Sequence, residues 1–220
     1  MPGAWEIANQ PSVLCAILHT EFTSMAWSLA FRNLIIPGGV LPLSGMPFDM
    51  ARNVACMRAL EMGATHIFFL DSDVAPQRNA VMRLLAHNKP LISGVYCRRS
   101  PPHGVPVMLK GGRWITDLPP NKIIEVDVVG AGCLLIHRSI LENLKPQRPE
   151  AGRHWFDWRV DMQGLLPPGR CLSEDFTFNF AVREQLGIPT LVDTGVQCRH
   201  IGLAEATYGN FVPCNADPNT

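Results

Sequence analysis

Several features are missing from this 220-residue chain. It has no net charge, since 19 Lys and Arg balance 19 Asp and Glu. No global field therefore draws it to nucleic acid or an anionic membrane, which leaves only a local basic patch open. No apolar run approaches the ~20 residues of a membrane-spanning helix, and the amino terminus lacks the basic, apolar, small-residue pattern of a signal peptide. Cys198-x-His200 is not accompanied by a second closely spaced ligand pair, which argues against structural zinc. The seven cysteines (Cys15, Cys56, Cys97, Cys133, Cys171, Cys198 and Cys214) are odd in number, scattered and mostly within apolar segments. They read as reduced core thiols, and the expectation is a soluble, cytoplasmic protein.

What is present is an alternation. Val13 to Leu18 reads as a first strand, Ser24 to Leu34 as an amphipathic helix with Trp27 and Phe31 at helical spacing, and Gly38 to Leu43 as a weaker strand. A second helix near Asp49 to Met62 carries Met50, Val54, Met57 and Leu60 as its core stripe, with Arg52 and Asn53 off that stripe. His66 to Val74 follows, then a helix over residues 76 to 88 and a strand from Leu91 to Tyr96. This spacing predicts an α/β domain with a mostly parallel central sheet flanked by helices. The 19 prolines and 18 glycines point to substantial loops between the apolar runs. Further on, Lys110 to Trp114 reads as a hairpin turn, Ile123 to Val129 as a strand, and Gly130 to Arg138 as an apolar run opened by small residues.

The organising stretch is His66-Ile-Phe-Phe-Leu-Asp71-Ser72-Asp73-Val74, bounded by Gly63 and Pro76. It predicts a strand buried on both faces whose carboxyl end carries two acids. At that edge of an α/β sheet, paired carboxylates suit a hard divalent cation carrying phosphate oxygens. They equally suit an Asx turn or a helix cap. Much later Ser173-Glu174-Asp175 opens an apolar helix, and a lone His200 follows the last short strand, Ile188 to Val192. Acids in a first helical turn are favoured by the helix dipole whatever their chemistry.

Apolar strand, Asp-x-Asp, helix, then an acidic pair and a His: over roughly residues 12 to 202 this order resembles the nucleotide-sugar glycosyltransferases of the GT-A (Rossmann-like) fold, family 2 type. The resemblance implies one domain over residues 1–220. A nucleotide-sugar-binding half would span about 12–100, an acceptor and catalytic half about 101–202, and a tail 203–220. It implies a UDP- or GDP-type sugar donor, with Mn2+ or Mg2+ held by Asp73, Asp71 and His200; the imidazole favours Mn2+. Ser72 lies between the two acids. His19, Thr20 and Glu21 fall where such enzymes touch base and ribose. Ala51-Arg52-Asn53 matches a segment whose Arg approaches the diphosphate, and Gly132 matches a Gly-rich strand beneath the sugar. Asp175, with Glu174 as alternate, falls on the base that takes the acceptor's proton in inverting members.

The aromatic stretch Trp155-Phe156-Asp157-Trp158 makes Trp155 and Trp158 candidates for stacking on an acceptor sugar, although such rings more often fill cores. Gly164 to Arg170 has the composition of a loop that orders on donor binding, and the basic loop Arg98 to Gly104 suits phosphate or a solvated turn. Two other classes stay open. One is a haloacid dehalogenase-like phosphatase with Asp71 as nucleophile, although Ala75 stands where those enzymes usually carry Thr or Val. The other is a non-catalytic nucleotide or sugar-binding module. Neither sugar nor acceptor is named by the sequence.

Overall fold

The computed structural model describes residues 10–20, 22–99, 104–160, 171–202, 204–207 and 210–213. In chain order these form β1 (Val13–Leu18), α1 (Met25–Asn33), β2 (Gly38–Leu43), α2 (Phe48–Glu61), β3 (His66–Asp71), β4 (Val74–Ala75) and α3 (Ala80–Ala86). Next come β5 (Leu91–Val95), β6 (Met108–Lys110), β7 (Arg113–Trp114), β8 (Ile123–Val126), β9 (Val128–Val129), β10 (Cys133–His137) and α4 (Arg138–Asn143). The chain ends with β11 (Arg159–Val160), β12 (Cys171–Leu172), α5 (Glu174–Leu186), β13 (Thr190–Gln197), β14 (Arg199–His200), β15 (Ala204–Thr207) and β16 (Asn210–Pro213).

Seven strands share one sheet in the order β2-β1-β3-β10-β5-β13-β8. β2, β1 and β3 are parallel neighbours, as are β5 and β13, while β10 and β8 run the other way. The sheet is thus mostly parallel and draws strands from both halves of the chain. Period-two alternation divides its side chains between two cores. Leu14, Ala16, Ile67, Phe69, Leu134 and Ile136 meet α2, α4 and α5 on one face. Val13, Cys15, Phe68, Leu70, Cys133 and Leu135 meet α1 and α3 on the other. Each fully buried Phe or Leu contributes on the order of 1.5–3 kcal/mol, which fixes the register against a one-residue slip.

Several expectations are corrected. On α2, Met50 and Met57 are exposed, and the buried face is Ala51, Arg52, Asn53, Ala55, Cys56 and Ala59. Alanines let this helix approach the sheet closely, so three polar side chains, Asp49, Arg52 and Asn53, are carried inside where they find partners. The helix expected over 76 to 88 is shorter because residues 74 and 75 form a strand first, paired antiparallel with β14. The strand expected over 123 to 129 divides at Asp127: β8 joins the main sheet and β9 a small three-stranded one with β6 and β7. Gly111 and Gly112 turn that hairpin with φ of 57° and 70°, the positive values a two-residue turn requires. Cys15, Cys56, Cys97, Cys133 and Cys198 are buried free thiols. Burial pushes Cys15 and Cys97 up to about 12, so they are inert packing groups. Among the described residues no helix is long and apolar enough to cross a membrane.

Candidate functional site

The site grows out of strand direction. Leu18 of β1 pairs with Asp71 of β3, so both strands end at one edge. Because β10 is antiparallel, its beginning rather than its end lies there, and Gly132 accepts a hydrogen bond from the Asp71 amide at 3.2 Å. A Cβ on Gly132 would stand 2.9 Å from the Tyr96 ring, 3.0 Å from Val74 Cγ2 and 3.1 Å from Asp71 Oδ2. Only glycine leaves the Asp71 carboxylate where it is. The indole of Trp27 donates to the carbonyls of Asp71 and Val74, both at 3.0 Å, and so ties the acidic turn to α1.

Beneath Asp71 lies Arg52, 3% exposed. Its Nη2 donates to Asp71 Oδ1 at 3.1 Å and its Nε to Glu174 Oε1 at 3.2 Å, while its guanidinium carbon sits 5.1 Å from the Phe69 ring centroid. One cation serves three acids, Asp71, Glu174 and Asp175. Burial and the charge of Asp175 push Glu174 up to about 7 against the pull of Arg52. Burial likewise raises Asp71 despite Arg52. Arg52 itself is held charged: burial opposes this, but the surrounding carboxylates prevail.

Asp73 has a different environment. The β4–β14 pairing sets His200 opposite Val74, and the Ile201 amide donates to the Asp73 carbonyl at 2.7 Å. His200 Nδ1 meets the Cys97 carbonyl at 2.7 Å; a carbonyl only accepts, so Nδ1 carries the proton there. That leaves Nε2 facing Asp73 Oδ1 at 3.4 Å, and Arg99 Nη2 lies 2.7 Å from Oδ2. Burial would raise Asp73, but His200 and Arg99 outweigh it and hold the carboxyl below its usual range.

A cavity of about 400 Å³ opens at this edge. His19, Thr20, Ser72, Asp71 and Asp73 line it, with Phe22, Phe48, Arg99 and Gly202 completing the wall. Glu174 and Asp175 are not in this lining; Glu174 is held by Arg52. Asp175 accepts from Ser173 Oγ, from the Phe176 amide at 2.8 Å and from the Ala131 amide at 3.2 Å. Ser173 is the N-cap residue by position, yet its hydroxyl goes to Asp175 instead of a helix amide.

Of the residues singled out in the sequence, Arg52, Asp71, Asp73, Gly132, Glu174, Asp175 and His200 cluster around the end of β3. Asn53 does not join them. It is buried, its amide donating to the carbonyls of Asp49 at 2.8 Å and Phe156 at 2.7 Å, its oxygen accepting from the Trp155 amide at 2.8 Å. It clamps the aromatic stretch to α2. Asn53→Ala is expected to cost about 2–4 kcal/mol, since several buried backbone groups lose their partner at once; urea unfolding would register it, and a loss under ~0.5 kcal/mol would refute the clamp. Trp155 is 8% exposed with its indole on the Leu141 carbonyl, so it fills core, whereas Trp158 is 47% exposed. Glu21 and residues 164 to 170 lie outside the described residues. Among the described residues no three His, Cys, Asp or Glu side chains form a metal-holding group; Arg52 pairs with Asp71 and Arg99 with Asp73.

Sequence reasoning did not single out Tyr96, nor Phe22 and Phe48 of the cavity wall. The Tyr96 hydroxyl accepts from the Gly132 amide at 3.1 Å and its ring meets His200 edge-on at 5.4 Å. Burial and the charges of Asp71 and Asp175 keep this phenol protonated. No local pattern around residue 96 announces this, since its partners come from β10 and β14.

No family model and no curated protein matches the sequence. Among solved structures the chain is similar to A197 from STIV, with a TM-score of 0.65 and 18% identity over 94% of this chain and 95% of that one. It is also similar to GalNAc-T7 with UDP, GalNAc and Mn2+, with a TM-score of 0.53 and 13% identity. That match covers 88% of this chain and 44% of the other. At such identities the likeness is one of fold: the chain has a GT-A-like α/β architecture.

Proposed function

We propose that this chain is a glycosyltransferase that takes its sugar from a nucleotide-diphosphate donor of UDP or GDP type, assisted by Mn2+ or Mg2+. The observation that carries the reading is that His200 faces Asp73, which lines a cavity together with Asp71, Ser72, His19 and Thr20. Two acceptor atoms 3.4 Å apart need a cation between them or a proton on Nε2. Carboxylate and imidazole, with Asp71 beside them, are a donor set that fits Mn2+. The His200 Nδ1–H bond to Cys97 is the outer contact that orients such a ligand. When bound, the ion would neutralise charge on a departing diphosphate. The solved neighbour GalNAc-T7 with UDP, GalNAc and Mn2+ is consistent with this class of donor.

The chain's own groups then divide the work. Arg52 fixes Asp71 and keeps a positive charge beneath the cavity. Gly132 leaves room beside that carboxylate for a sugar. Asp175, half-buried with Oδ2 on the Gly-rich segment, is the base for the acceptor hydroxyl, and Glu174, buried behind it on Arg52, supports the cation. Trp158, exposed, is the aromatic face offered to an acceptor. An inverting course follows from the resemblance to family 2 members, in which an acid at this position is the base. Phosphate-ester hydrolysis through Asp71 is the weaker reading, since Arg52 holds Oδ1 of the carboxylate that would have to act as nucleophile.

Calorimetric titration with UDP and with GDP, in Mn2+ and then in EDTA, tests the proposal. Binding of one nucleotide that disappears in EDTA is the expected result; no binding of either under both conditions would overturn it.

A further inference from the structure

The two acids of the motif are neutralised by different kinds of arginine. Arg52 reaches Asp71 from inside the protein, 3% exposed and held by Glu174 as well. Arg99 reaches Asp73 from the cavity wall, with the two side chains 40% and 34% exposed. A pair this open to solvent is weakly held. Among the described residues Arg99 is also gripped by a hydrogen bond from Nη1 to the Ile201 carbonyl at 3.2 Å. Its guanidinium lies over Gly202, where an added Cβ would overlap Nη1. The bare backbone of Gly202 is therefore what allows Arg99 to rest on Asp73 from that side.

We infer that Arg99 is an exchangeable counter-ion of Asp73, which competes with a divalent cation for the carboxylate and turns to the donor's phosphates once displaced. The inference rests on the reading of the cavity as a metal and diphosphate site, and concerns how that site is kept charge-balanced when empty. A guanidinium and a divalent ion on one carboxylate repel each other, so occupancy by one weakens the other. Both Arg99 and Gly202 line the cavity. A released Arg99 consequently remains within it, and its planar fork suits two phosphate oxygens at once. Asp73 exchanges one positive partner for another and is never left bare, while His200 stays in place through its bond to Cys97.

The test uses electron spin resonance of free Mn2+ to measure binding to the full chain, first without nucleotide and then with UDP or GDP. Arg99→Gln should bind Mn2+ alone about tenfold more tightly than the wild type. Gly202→Ala retains the charge but lifts Arg99 away, and should tighten Mn2+ binding about threefold. With nucleotide present, Arg99→Gln should instead bind the Mn2+–nucleotide pair about tenfold more weakly, having lost the phosphate contact. Equal Mn2+ affinity in all three proteins, with nucleotide binding intact, would overturn the competition and leave the metal site standing. Tighter Mn2+ binding with unchanged nucleotide affinity would overturn the transfer to phosphate. No Mn2+ binding by any of the three, with or without nucleotide, would remove the metal site itself and the inference with it.

Discussion

Replacing Arg52 by Met is expected to cost about 3–5 kcal/mol of stability at pH 8, the loss typical of removing one member of a buried ion pair. The guanidinium is the only partner shown for Glu174 Oε1 and for Asp71 Oδ1 among the described residues. Without it a buried Glu174 and a half-buried Asp71 face each other's charge and that of Asp175. The loss should shrink on acidification. Glu174 is already pushed up to about 7 in the fold, above its ordinary 4.5. A folded carboxyl raised in this way contributes stability that is complete below about 4.5 and is lost as pH rises through about 7. Removing Arg52 raises Glu174 and Asp71 further, so the variant should lose most at pH 8 and recover part of the deficit at pH 5, where both acids take up protons. Guanidinium unfolding at the two pH values measures this, and Arg52→Met combined with Glu174→Gln should show a flatter difference. A cost independent of pH, or below about 1 kcal/mol at pH 8, would mean that the acids are solvated and that Arg52 is not their counter-ion.

The sequence made the sheet legible where strands are buried on both faces. Val13 to Leu18 and His66 to Asp71 are apolar runs of strand length, and no helix of that size would hide every residue. It also brought Asp71, Asp73, Glu174, Asp175 and His200 together as a list, through the order of motifs. How they meet was not legible. His200 reaches Asp73 only because Val74 and Ala75 form a two-residue strand against Arg199 and His200, a pairing too short to leave a periodic signal. Gly132 reaches Asp71 only because β10 is inserted antiparallel between β3 and β5, and strand direction is set by connections rather than by composition. On α2 the pattern pointed the wrong way. Met50 and Met57 look like a core stripe, yet small alanines face the sheet and carry Arg52 and Asn53 inward. Hydrophobicity ranks Met above Ala, whereas close packing against a sheet favours the smaller side chain and tolerates a buried cation when every donor has an acceptor.

Asp73→Asn should separate function from folding. The substitution is nearly isosteric, and the side chain is 34% exposed with partners on the cavity wall, so stability should change by less than about 1 kcal/mol. Mn2+-dependent nucleotide binding should nonetheless fall at least about a hundredfold, because a neutral amide presents one oxygen without charge to the cation and leaves Arg99 unbalanced beside it. Asp71→Asn is the instructive comparison. It removes the same charge two residues away, but from an acid that also holds Arg52, so it should weaken binding and unfold more easily. If Asp73→Asn bound nucleotide as the wild type does in both Mn2+ and EDTA, the facing of Asp73 and His200 would be an ordinary ion pair and Asp71 the sole acid of consequence. If binding fell equally in Mn2+ and in EDTA, Asp73 would be contacting the nucleotide itself. Loss confined to the Mn2+ condition, with the unfolding midpoint unmoved, is the outcome that places the cation on Asp73.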